Sequence, residues 1–166
     1  MKPNFQAVTT ADEPFLLELY ASVRAAEMAI VPWTGEQKRA FLEAQFRAQQ
    51  TYYAEKYPRG AFQTIRLGDE KIGRLYLAEL ADETRIIDLT LAPAFRGRGI
   101  GSRIVAGILR ESSKPVRIYL ESFSAAAGLF ARLGFGVVRD EGLYRLWENK
   151  GVGEETARRA SSAISK

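Results

Sequence analysis

Arg96-Gly97-Arg98-Gly99-Ile100-Gly101-Ser102 is the run in this chain whose residue types and spacing could bind an anion. It follows the apolar segment Ile86-Ile87-Asp88-Leu89-Thr90-Leu91 and the breaker Pro93, and it leads into Ile100, Ile104, Val105, Ile108 and Leu109 at helical spacing. Strand, glycine-rich turn and helix in that order leave unpaired backbone N–H groups at a helix N-terminus, where the helix dipole is positive. Glycines let an anion approach the backbone, and Arg96 and Arg98 add fixed charge. The arrangement is a pyrophosphate cradle.

Carboxylates are the other reactive groups. Asp88 interrupts an otherwise apolar strand, where a carboxylate is costly unless it is paired, solvated or used. Glu121 closes the strand Val116-Arg117-Ile118-Tyr119-Leu120, and Glu79 is a third, weaker candidate. For each the ordinary alternative is a solvent-facing charge or an ion pair with an arginine. The chain has no Cys and no His. That removes disulfides, thiolate metal sites, a cysteine acyl-enzyme, the Ser-His-Asp triad and most zinc chemistry. No metal is expected, and catalysis falls to carboxylates, tyrosines, backbone dipoles or water.

The elements that must position these groups fit in one domain of 166 residues, with 46% hydrophobic and 27% charged residues. Phe5–Val8 reads as a strand. A helix carrying Phe15, Leu16, Leu19, Tyr20 and Val23 follows, capped by Thr10 or Asp12. A second helical region runs from Thr34 to about Tyr57, before Pro58. Ala61–Leu67 and Lys71–Leu77 alternate with period two around Gly68-Asp69-Glu70, a hairpin pattern. Thr84–Leu91 is a fourth strand, and the cradle helix spans about Gly99 to Ser113. Val116–Leu120 is a fifth strand; Ser124 opens a short helix ended by Gly134. Val137-Val138 and Leu143–Trp147 make the last two strands. Residues 1–149 form the domain, and 150–166 read as a polar tail.

Charge and hydropathy narrow the partners. The net charge is +4, with arginines scattered outside 96–103, so no nucleic acid is expected. No apolar run is long enough for a membrane span, and the first residues lack a signal-peptide pattern, which together point to the cytoplasm. Edge strands leave room for a homodimer.

Among phosphate-binding patterns, a Walker A loop is absent, and a Rossmann fingerprint fails at Ser102, where a third glycine belongs. Arg/Gln-x-x-Gly-x-Gly/Ala is matched by Arg96 to Gly101 at every fixed position. With the order β-α-α-β-β-β-α-β-α-β-β and the run Leu129, Phe130, Leu133, Gly134, Phe135, the chain resembles the GNAT superfamily of N-acetyltransferases from about Phe5 to Trp147. The resemblance implies an α/β (α+β) fold with a mixed, mostly antiparallel twisted sheet, strands four and five splayed, flanked by helices.

It also implies acetyl-CoA as co-substrate and a small-molecule or peptide amine as acceptor. The backbone of Leu89 and Leu91 would pair with the pantetheine arm. The cradle from Gly97 through Arg98, Gly99, Ile100 and Gly101 to Ser102 would hold the pyrophosphate. The Leu91 N–H would stabilise the developing oxyanion. Asp88, or Glu121, would take the amine proton. The segment between the first two strands would bind the acceptor through Trp33, Gln45, Gln49, Tyr52 and Tyr53. The last four share a helix face whose ordinary reading is a half-buried amphipathic surface, and the ordinary reading of Met28 and Trp33 is core. One departure stands out. The tyrosine that many members use to protonate the leaving thiolate is replaced by Phe130. Unassisted departure, another tyrosine (Tyr144, Tyr119, Tyr52 or Tyr53) and a catalytically silent CoA-binding module all fit that change.

Overall fold

A computed structural model of the chain describes residues 1–151; the expected tail lies, from 152 on, outside the described residues. Among the described residues, seven strands and four α-helices follow in the order β1 (Asn4–Ala7), α1 (Glu13–Ala29), α2 (Gly35–Lys56), β2 (Ala61–Leu67), β3 (Glu70–Glu79), β4 (Thr84–Leu91), α3 (Ile100–Glu111), β5 (Val116–Glu121), α4 (Ala127–Arg132), β6 (Gly136–Asp140) and β7 (Tyr144–Asn149). Hydrogen bonds join the strands in the order β1-β2-β3-β4-β5-β7-β6. The sheet is mixed and mostly antiparallel: β1/β2, β5/β7 and β6/β7 are antiparallel, and β4/β5 is parallel. The chain forms two compact units, one of Met1–Tyr76 with Leu89–Arg96, the other of Leu77–Asp88 with Gly97 onward.

In the first unit, Leu16 and Tyr20 on α1 pack with Phe46 on α2, and Val8, Phe15, Leu17 and Leu42 close around them. The Tyr20 and Phe46 rings sit 5.9 Å apart. Ile65, Ile72, Leu75 and Tyr76 are buried positions of β2 and β3. A capping box starts α2: the Gln37 N–H donates to the Thr34 hydroxyl, and the Thr34 N–H donates to the Gln37 side chain.

The cap expected for α1 takes another form. The Asp12 side chain makes no cap bond to α1; its Oδ2 accepts the Thr9 N–H at 2.8 Å, closing a 3-10 turn over Thr10–Asp12. Its Oδ1 lies 2.6 Å from Lys71 Nζ. That ion pair, with help from the Thr9 N–H, holds the buried carboxyl below its ordinary pKa.

In the second unit, Ile100, Ile104 and Val105 of α3 are buried, as are Val116, Ile118 and Leu120 of β5, Phe130 of α4 and Leu146 of β7. β4 pairs with β5 over three residues, ending at Ile86↔Ile118, whereas β5 pairs with β7 along its whole length. The cradle helix ends at Glu111 rather than Ser113, because Ser112 is already extended, three residues ahead of Pro115. The helix expected from Ser124 starts at Ala127. The Ser124 hydroxyl accepts the Ala126 N–H at 3.2 Å and holds residues 124–126 in a turn.

Candidate active site

The glycine run folds as its composition requires. Gly97 and Gly99 have φ of +72° and +78°, the left-handed region that side chains with a Cβ avoid. Gly99 is the N-cap of α3, and no side chain caps this end. The helix's first bond runs from the Arg103 N–H to the Gly99 carbonyl at 3.1 Å, so the N–H groups of Ile100, Gly101 and Ser102 precede the helical ladder. A Cβ at Gly97 or Gly99 would meet nothing within 4 Å, so the space beside the turn is open. Ile100 and Gly101 are buried, Ser102 is half-buried, and Arg98 is exposed. These features suit an oxyanion held by backbone donors.

The second unit also carries the two outer carboxylates. Glu121 is exposed at the end of β5, directly opposite Tyr144 of β7 in the antiparallel register. Glu79 is occupied structurally: it lies 3.2 Å from Lys114 Nζ and accepts the Thr84 hydroxyl at 3.1 Å. Phe130 is 2% exposed and meets Phe135 edge-on at 5.1 Å, so it fills the core. Of the tyrosines considered as thiolate acids here, Tyr119 donates to Glu141 at 3.3 Å and Tyr144 is exposed.

Sequence reasoning missed the ionic cluster beside these residues. Glu83 is buried between Arg85, at 2.8 Å, and Arg117, at 3.6 Å, and Arg117 also reaches Glu148 at 2.6 Å. The Glu148 hydrogen bond is the main reason the Arg117 pKa is raised. Glu83 and Arg85 stand two apart in sequence, but Arg117 and Glu148 stand 31 apart and leave no spacing signal.

In the first unit, Leu89 and Leu91 lie half-buried at the end of β4, just before the Pro93 break. The Ala92 N–H donates to the Ile72 carbonyl at 2.7 Å. Arg96, expected beside an anion, is directed elsewhere in this structure: its Nε donates to the Leu91 carbonyl at 2.8 Å and its Nη2 to the Ser22 hydroxyl at 3.0 Å. Asp88, which belongs to the other unit, is half-buried near the end of the same strand.

The expected acceptor face of α2 is divided. Gln49 accepts a 2.8 Å hydrogen bond from Arg74, which is buried on β3 with its guanidinium 5.0 Å from the centre of the Tyr76 ring. Tyr53 is half-buried and edge-on to Tyr76 at 6.0 Å. Gln45 and Tyr52 are exposed, and the Tyr52 hydroxyl accepts from Lys56 at 2.8 Å. One helical face is too wide for all four to reach the same surroundings. Trp33 is not core: it is 42% exposed and meets Phe41 edge-on at 5.2 Å. Met28 is half-buried.

Among the described residues no group of three or more His, Cys, Asp or Glu could hold a metal ion. No described helix is long and apolar enough to cross a membrane.

Comparison with known proteins adds to this geometry. The model of the acetyltransferase (GNAT) family matches residues 23–135, which include β4, the glycine turn and α3. A mycothiol acetyltransferase from Thermobispora bispora is 39% identical over 101 residues, covering 59% of this chain and 33% of that protein. The chain therefore spans about a third of the length of that curated relative. The fold is shared with the PaiA N-acetyltransferase from Thermoplasma acidophilum, solved in complex with coenzyme A, at a TM-score of 0.66 and 16% identity, covering 90% of this chain and 99% of that one. It is also shared with an acetyltransferase from Thermus thermophilus, at a TM-score of 0.68 and 20% identity, covering 90% and 97%. With the matched model spanning the strand, turn and helix described above, the chain belongs to the acetyltransferase (GNAT) family.

Proposed function

We propose that this chain is an acyl-CoA-dependent N-acyltransferase that moves an acetyl group from acetyl-CoA to a primary amine, with residues 1–149 as its domain. The observation that carries this reading is the turn at Gly97 and Gly99, whose positive φ angles leave three N–H groups ahead of the α3 ladder. Those donors, with Arg98, suit the diphosphate of CoA. The backbone of Leu89 and Leu91 would take the pantetheine amides as an added strand does. The mycothiol acetyltransferase relative supports acetyl as the transferred group.

The amine nitrogen attacks the thioester carbonyl carbon directly, since the chain has no cysteine to form an acyl-enzyme. The Leu91 N–H stabilises the oxyanion. An alkylamine with a pKa of about 10 must first lose a proton, and Asp88 takes it, directly or through water. Glu121, exposed on β5, is the second choice. The C–S bond breaks, and the CoA thiolate takes a proton from water, because Phe130 offers none. Trp33, Gln45 and Tyr52, the exposed members of the acceptor set, contact the amine, while Gln49 and Tyr53 support them from within.

The missing hydroxyl at Phe130 carries one second reading, a CoA-binding module without turnover. Thiol release from acetyl-CoA across a panel of amines tests both. Turnover with any amine supports the transferase, and CoA binding without release supports the silent module.

A further inference from the structure

The two bonds of Arg96 tie its side chain to the protein itself. Nε meets the Leu91 carbonyl at 2.8 Å and Nη2 meets Ser22 Oγ at 3.0 Å. Ser22 donates its own proton to the Leu19 carbonyl at 2.7 Å, which leaves its oxygen turned to accept. A continuous line of hydrogen bonds thus runs from Leu19 and Ser22 on α1, through Arg96, to the last residue of β4. Leu91 is restrained on its other flank as well. Ala92 N–H donates to Ile72, and Gly73, lacking a Cβ, lets the Thr90 and Leu91 backbone close on β3. Charge-assisted bonds from a planar guanidinium fix orientation as well as distance.

We infer that Arg96 is a positioning residue: it contributes to thioester binding by holding the Leu91–Ala92 peptide through its link to Ser22, and not by placing charge on the diphosphate. The inference rests on the acyl-CoA reading above. It divides the labour of the two arginines in the motif. Arg98 acts on the phosphates, and Arg96 acts on the strand that receives the pantetheine arm.

Pantetheine, which carries the amide arm and thiol without the diphosphate, separates the two roles. NMR titration of the nitrogen-15-labelled full chain with CoA and with pantetheine measures both affinities and reports on the Leu89 and Leu91 amides. Arg96→Ala is expected to weaken both ligands by a similar factor, about tenfold. Arg96→Lys, which keeps the charge but loses the fork, should do nearly the same, with shifts at Leu89 and Leu91 and none in β6 and β7. Ser22→Ala should weaken both ligands by a smaller factor and guards against a fold defect at Arg96. Arg98→Ala should weaken CoA alone. Loss of CoA affinity with pantetheine binding unchanged in Arg96→Ala, or wild-type behaviour in Arg96→Lys, would overturn the assignment. A wild-type chain that binds neither ligand would instead remove the acyl-CoA reading on which it rests.

Discussion

Gly73 of β3 and Thr90 of β4 meet backbone to backbone, so closely that a Cβ at Gly73 would overlap the Thr90 carbonyl oxygen and stand 3.2 Å from the Leu91 Cα. The glycine sets where the last two residues of β4 lie, and Leu91 among them carries backbone groups assigned to the thioester. Gly73→Ala is therefore expected to cost about 1–3 kcal/mol of stability through overpacking. It should also weaken CoA binding beyond what the stability loss explains. Urea unfolding and a CoA titration on the same variant check this; an unchanged affinity would separate Leu91 from the site.

Asp88→Asn should lower kcat at neutral pH and leave CoA affinity nearly unchanged, because the carboxylate is assigned to the amine proton and not to the cofactor. Steady-state kinetics with a responsive amine, beside a CoA titration, measures the split. Glu121→Gln is the comparison. If it carries the loss in kcat and Asp88→Asn does not, the base is Glu121.

Asp12 gives a pH dependence whose sign is fixed. Lys71 foremost, then the Thr9 N–H, lower its pKa in the folded state. An unfolded carboxyl titrates near 3.9, so the ion pair contributes fully above about pH 4. The contribution is lost as the pH falls through the lower folded value. Asp12→Asn should destabilise the protein at pH 7 by about 1–3 kcal/mol, and the gap to wild type should close as the pH drops below about 4. Denaturation at about pH 7 and about pH 3 reads this directly, and a gap that stays constant would mean that folding does not lower the Asp12 pKa.

How far the sequence speaks for itself depends on the range of each interaction. The strand, turn and helix at 84–111 are legible because periodicity and glycine placement are local properties, and so is the Gly134 stop, which has φ of +90°. The destinations of side chains are not. Arg96 pairs with Ser22 across 74 residues and Arg74 with Gln49 across 25, and nothing in either neighbourhood names the other. Asp12 reads as a helix cap because its sequence position fits one, but its carboxylate pairs with Lys71 at 2.6 Å and Arg66 at 3.8 Å, on strands far along the chain. The acceptor face of α2 rests on helical offsets, which group residues by angle and cannot say which half of a wide face is covered. Gln49 and Tyr53 turn inward, and Gln45 and Tyr52 outward.

Calorimetry with CoA on the purified chain bears most directly on the role given to the turn at Gly97–Ser102. One CoA should bind per chain, and replacing Gly99 and Gly101 by valine should remove most of the heat, since a Cβ at Gly99 strains the left-handed turn by about 1–2 kcal/mol and a branched side chain there enters the open space in front of the donors. No heat with millimolar CoA, or equal binding by the valine variant, would contradict a diphosphate held by the amides of this turn.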